Sequence, residues 1–170
     1  DNTLLEVTNN VPVHKGDVFF IESGTLHAIG KGILIAEIQQ NSNTTYRVYD
    51  YGRVGKDGKP RELHIEKAID VTELCPPKYD TKPQGKPVKI DGGEETLLRS
   101  CEYFDVHKIK VSGTVTLDAD EKSFMSVLVL DGSGKIGELD AKKGDSFFVP
   151  AGYGRFTLTG NLEVILSDIV

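Results

Sequence analysis

A repeated turn constrains this chain more than any other feature. Lys15-Gly16-Asp17-Val18-Phe19-Phe20-Ile21 returns as Lys143-Gly144-Asp145-Ser146-Phe147-Phe148-Val149, an offset of 128 residues (143 − 15). At that offset Gly24 falls on Gly152 and Gly32 on Gly160, while His27 falls on Arg155. Glycines punctuate turns, so glycines matched at one spacing point to two copies of one β unit.

The surrounding pattern supports a β architecture. The chain has 18 glycines among 170 residues, set between short β-branched and aromatic runs, and this spacing predicts an all-β fold with one short helix. The run 18–21 reads as a buried strand. In 33–39, Ile33, Ile35, Glu37 and Gln39 share one face of a predicted strand and Leu34, Ala36 and Ile38 the other. Thr, Tyr and Val make 44–51 strand-like. The segment 4–7 fits either a helix end or an edge strand. Lys56-Asp57-Gly58-Lys59-Pro60 is a polar loop, and Ile65, Ala68 and Ile69 have the spacing of a short helix within 62–71. Proline and glycine crowd 75–93, the best candidate linker. From residue 95 onward the pattern is β, with a bulge expected near His107 and a turn at Asp131-Gly132-Ser133-Gly134.

The domain organisation follows: 1–74 as the C-terminal half of a first barrel, 75–98 as linker, 99–170 as a complete second barrel. Nothing like 99–140 precedes Gly16, and the only methionine is Met125. A half barrel exposes strand edges, which natural domains avoid. The expectation is therefore a piece of a protein that extends N-terminally, with association through the exposed edges.

Charge narrows the partners. The formal net charge of −6 argues against nucleic acid, which needs a basic surface, yet leaves room for a small phosphorylated ligand held by a few local cations. No apolar run is long enough to cross a bilayer, so no membrane partner is expected. Cys75 and Cys101 show no metal-type pairing and read as free thiols of a cytosolic, hence cytoplasmic, protein.

Both copies resemble the second motif of the cupin superfamily: Gly, five residues, Pro, any residue, Gly, two residues, His. The first copy has Gly16, Glu22 in place of Pro, Gly24 and His27. The second has Gly144, Pro150, Gly152, and Arg155 in place of His. The resemblance implies a cupin-type jelly roll, with a partial first cupin followed by a complete, metal-free second one. It is weak for function, since cupins serve many. SGTLHAIGKG, then AEIQQNSNTTYRVYDYGR and RELHIEKAIDV, is similar to the type I mannose-6-phosphate isomerases of bacteria, closely over 13–75 and more loosely to residue 170. Asn43 for Asp is a mild departure.

That resemblance implies site residues. His27 would be one zinc ligand, the others coming from upstream of this chain. Glu37 and Arg47 would line the sugar site. The implied reaction interconverts mannose 6-phosphate and fructose 6-phosphate, passing a proton between C2 and C1 through an enediol. A Lewis acid lowers its barrier, and zinc suits a mixed imidazole and carboxylate site. Arg47 would meet developing negative charge or the phosphate, with pairing to Asp50 as its plain alternative. Glu37 would act as base or orient hydroxyls. Alone, the chain is expected to be inactive. The other reading is a non-catalytic sugar-binding or regulatory cupin. Lys135, Lys143 and Arg155 read as solvated surface, and His14, His64 and His107 as surface or packing residues.

Overall fold

The computed structural model describes residues 3–169 and divides into two units, Asp1–Asp80 and Thr81–Val170. In the first unit the segment 4–7 resolves into a 3-10 helix, Leu4–Glu6. One α-helix follows, α1 (Ile65–Val71), with Glu66 in its first turn, where a carboxylate favours the positive helix end. Ala68 is buried at 4% exposure, while Ile65 and Ile69 remain exposed. Thr72 ends the helix: its N–H and hydroxyl both donate to the Ala68 carbonyl, at 2.9 and 2.6 Å.

The runs 18–21, 33–39 and 44–51 form no strand, and among the described residues of this unit only an isolated bridge pairs, Val54 with Pro60. The strands expected at 18–21, 33–39 and 44–51 are therefore not formed among the described residues. The reason is physical. An extended run becomes a strand only when another segment satisfies its N–H and C=O groups. None of these runs pairs with another described segment as a continuous ladder, and side chains in them stay open to solvent: Phe19 is 45% exposed and Leu34 92%.

The second unit is an antiparallel β roll. Its strands are β1 (Val88–Ile90), β2 (Gly93–Ser100), β3 (Asp105–Val111), β4 (Thr114–Ala119), β5 (Met125–Ile136), β6 (Leu139–Lys142), β7 (Ser146–Val149) and β8 (Gly154–Asp168). The order is β1-β2-β3-β8-β5-β6, with β4 also on β8 and β7 also on β5. The long β8 is shared along its length: its first half pairs β4, its second half pairs β3, and its other edge follows β5. Alternate residues point inward. Val127, Val129, Leu158 and Val164 are each at most 1% exposed and pack with Ile109, Val115 and Leu166.

Three expectations need correction here. The segment 75–98 is no linker, because β1 and most of β2 lie within it. The preceding stretch also joins the sheet: Gln84 and Gly85 donate to the carbonyls of Leu98 and Leu97 at 3.0 and 2.9 Å. Prolines misled the reading, since an edge position tolerates a residue with no N–H. The extra residue of the bulge is Leu98 in β2, opposite Val106 and His107, rather than in β3. Asp131–Gly134 is not a turn but the middle of β5. A Cβ on Gly132 or Gly134 would sit 2.0 or 1.9 Å from the carbonyl oxygens of Asn161 and Thr159 on β8. These glycines serve close strand approach, a second reason for glycine inside a strand.

Candidate functional site

The repeat seen in the sequence is a repeat of turns. Gly16 and Gly144 have φ of +99° and +91°, Gly24 and Gly152 +88° and +72°, Gly32 and Gly160 +78° and +102°. The hydrogen bonds repeat as well. Asp17 N–H donates to His14 O at 3.1 Å while its carboxylate accepts from His14 N–H at 2.7 Å; Asp145 and Lys142 make the same pair at 3.0 and 2.9 Å. Thr25 N–H to Glu22 O, 3.1 Å, matches Tyr153 N–H to Pro150 O, 3.2 Å. Glu22 in the proline position leaves this turn intact.

His27 follows the second of these turns. Its Nδ1 lies 2.8 Å from the Thr25 carbonyl, which can only accept, so the proton of this contact sits on Nδ1. In the neutral ring that leaves the Nε2 lone pair open, and His27 is exposed. The turn itself is anchored within the unit. Glu73 N–H donates to Gly24 O at 3.0 Å, and a Cβ on Gly24 would come 2.7 Å from the Val71 carbonyl oxygen.

Arg47 is held from three sides by 62–64. Its N–H donates to His64 Nδ1 at 3.1 Å, its carbonyl accepts from His64 N–H at 2.7 Å, and its guanidinium donates to Glu62 O at 3.0 Å. Asp50 does not pair with Arg47. It takes a bidentate bond from Arg61, whose Nε is 2.7 Å from Oδ2 and whose second nitrogen meets Oδ1. Arg61 beside it holds the Asp50 carboxyl below the usual aspartate range, against the opposing push of burial. Arg47 has no ion pair among the described residues, so most of its five N–H donors remain uncommitted. Glu37 is exposed and makes no hydrogen bond or ion pair there.

The structure thus orders His27 and Arg47 locally, each through its own hydrogen bonds. Among the described residues no three His, Cys, Asp or Glu side chains could hold a metal. One exposed imidazole does not by itself make a metal site. Sequence reasoning missed His64 and the Asp50–Arg61 pair. Their partners are 17 and 11 residues away, and no local periodicity reports such contacts.

In the second unit the position matching His27 is Arg155, 83% exposed and 3.7 Å from an Asp118 oxygen. Lys135 and Lys143 likewise face solvent beside Asp140 and Asp131. At one end of the roll Asp105 and Asp168 are direct cross-strand partners. Burial, then the Asp105 charge, push the Asp168 carboxyl up, while His107 opposes. His107 Nδ1 lies 2.9 Å from Glu95 Oε1. The described residues include no helix long and apolar enough to cross a membrane.

Known proteins are similar to this chain in sequence and fold. Residues 93–169 match the family described as mannose-6-phosphate isomerase, cupin domain. The mannose-6-phosphate isomerase ManA of Bacillus subtilis is 43% identical over 168 residues, 96% of this chain and 52% of that protein. The mannose-6-phosphate isomerase of Streptococcus mutans is 40% identical, covering 92% of this chain and 50% of its own length. The chain spans about half the length of the curated relatives it matches. A crystal structure of a Bacillus subtilis mannose 6-phosphate isomerase superposes with a TM-score of 0.65 at 36% identity, over 75% of this chain and 41% of that one. By sequence over both units, and by the cupin-type β fold of the second, the chain belongs to the mannose-6-phosphate isomerase family.

Proposed function

We propose that this chain supplies part of the active site of a zinc-dependent isomerase interconverting mannose 6-phosphate and fructose 6-phosphate. In this reading 1–74 is one half of the catalytic cupin, completed by upstream strands that pair the extended runs 18–21, 33–39 and 44–51. The second unit is a cupin without metal. The observation that carries the reading is the tautomer of His27, an exposed residue whose Nδ1–H is spent on Thr25 O, so that in the neutral ring Nε2 keeps its lone pair. A backbone carbonyl on one ring nitrogen is the usual way a protein sets a histidine for metal at the other.

The chemistry asks for few groups. A proton leaves C2, an enediol forms, and the proton is returned at C1. Zinc, when bound, supplies a Lewis acid for the sugar oxygens. His27 would donate one ligand to it, with the remaining ligands upstream. Arg47 binds the phosphate or the developing oxyanion through its uncommitted N–H donors, a planar fork suited to either. Glu37 moves the proton or orients the sugar hydroxyls. Standing alone, the chain holds too few ligands to retain zinc and is inactive.

The test uses the full-length protein, read by bound zinc and by mannose 6-phosphate turnover, beside His27→Ala. The substitution should abolish both. Full zinc and full turnover in His27→Ala would refute the assignment. The alternative reading is a non-catalytic sugar-binding or regulatory cupin. Sugar binding without zinc or turnover in the full-length protein would establish that instead.

A further inference from the structure

The proposed function uses Arg47 but leaves unexplained what aims it. Arg47 lies in a run without strand partners, and an arginine on such a backbone keeps many rotamers and shifts freely. Here one residue saturates its backbone. His64 takes the Arg47 N–H on its ring nitrogen and gives its own N–H to the Arg47 carbonyl. Two residues earlier Glu62 O holds the guanidinium. The contact extends outward in antiparallel order, through the Asp50–Arg61 pair and then the Val54–Pro60 bridge. It extends inward as well: His64 is the N-cap of α1, its carbonyl accepting the Ala68 N–H at 2.9 Å. The His64 ring also lies 6.2 Å from that of Tyr46.

Resting on that reading of Arg47, we propose that His64 is a positioning residue that fixes Arg47 to the start of α1 and aims its guanidinium at the phosphorylated sugar. The imidazole does this as a hydrogen-bond acceptor. A backbone N–H can only donate, so Nδ1 carries a lone pair and the neutral ring carries its proton on Nε2. This is the opposite tautomer to His27, whose Nδ1 faces a carbonyl. Two histidines of one unit are thus set in opposite senses, one leaving Nε2 with its lone pair and one using Nδ1 to hold the chain. The side-chain requirement at 64 is an acceptor about one ring-width from the backbone. Asparagine can place its carbonyl oxygen there; leucine fills the space and offers none.

The inference is tested in two steps. In the chain itself, long-range proton–nitrogen spectra should show His64 protonated on Nε2 and His27 on Nδ1. The Arg47 amide should exchange slowly, its protection should vanish in His64→Leu, and it should largely return in His64→Asn. In the full-length protein, calorimetry should show mannose 6-phosphate bound about tenfold more weakly by His64→Leu, the worth of about one hydrogen bond. His64→Asn should recover most of that loss, and zinc content should stay unchanged in both. Where turnover is measured, KM should rise more than kcat falls. An Nδ1–H tautomer at His64, or an unchanged Arg47 amide in His64→Leu, overturns the inference. So does sugar affinity that His64→Leu leaves intact. If the wild-type full-length protein binds mannose 6-phosphate without isomerising it, the catalytic reading fails, while the binding comparison still decides the role of His64.

Discussion

Two glycines of the second unit separate close packing from backbone conformation. Gly134 lies within β5 at an ordinary φ, and a Cβ there would sit 1.9 Å from Thr159 O and 3.2 Å from a Leu162 methyl. Real Cβ contacts essentially never fall below 3.0 Å. In Gly134→Ala the Thr159 carbonyl must therefore retreat by more than about 1 Å, and it cannot do so without pulling β8 from β5. Overpacking alone costs about 1–3 kcal/mol. One or two ladder bonds left unmade beside the fully buried Leu158 add about 1–3 kcal/mol. The total is about 2–6 kcal/mol, centred on about 4 kcal/mol. Gly144→Ala is the control: φ is +91° but nothing lies within 4 Å of the added Cβ, so only left-handed strain remains, about 1–2 kcal/mol. For a unit of this size each kcal/mol moves the melting temperature by roughly 4–8 °C. Denaturant unfolding read by amide exchange of β5 and β8 would report the second unit by itself. Gly134→Ala should lose at least twice what Gly144→Ala loses. Equal losses would refute continuous pairing of β5 with β8 through 132–134.

Two further outcomes follow from charge. Asp168 has its carboxyl pushed up by burial and by Asp105, so the folded state holds that proton more tightly than the unfolded chain. Stability from this group is full below the unfolded aspartate range and is lost as pH rises through the folded value. Asp168→Asn should therefore stabilise the second unit at pH 7, by roughly 0.2–1 kcal/mol for a like-charged cross-strand pair, and the gain should vanish in acid; thermal melts at both pH values check it. Asp50 is the opposite case. Arg61 holds its carboxyl down, so its contribution is present above the unfolded range and is lost as pH falls through the folded value. A carbon-13 titration of Asp50 should show a midpoint below that of an ordinary aspartate, and Arg61→Met should bring it back.

The parts of this protein that were legible from sequence share a short range. Asp17 and Asp145 each bond three residues back, and Gly24 and Gly152 each close one tight turn. Such turns depend on a few consecutive residues, so the repeat revealed them in both copies. The resemblance carried His27 and Arg47 in the same way, as residues at fixed spacing in a motif. It could not carry His64, whose role depends on a partner 17 residues away.

The contrast is sharpest between the runs 18–21 and 146–149, which share two phenylalanines at one offset. Ser146–Val149 is β7 because β5 lies beside it, with Val127 opposite Phe147. The run 18–21 forms no strand among the described residues. Sequence by itself determined the turns at Gly16, Gly24, Gly144 and Gly152 and the β character of the second unit, because these rest on local backbone conformation. Only the tertiary structure decided which extended runs became strands, which glycines in β5 serve close approach, and what holds Arg47. Each depends on a hydrogen-bond partner that the chain brings in from far along its length.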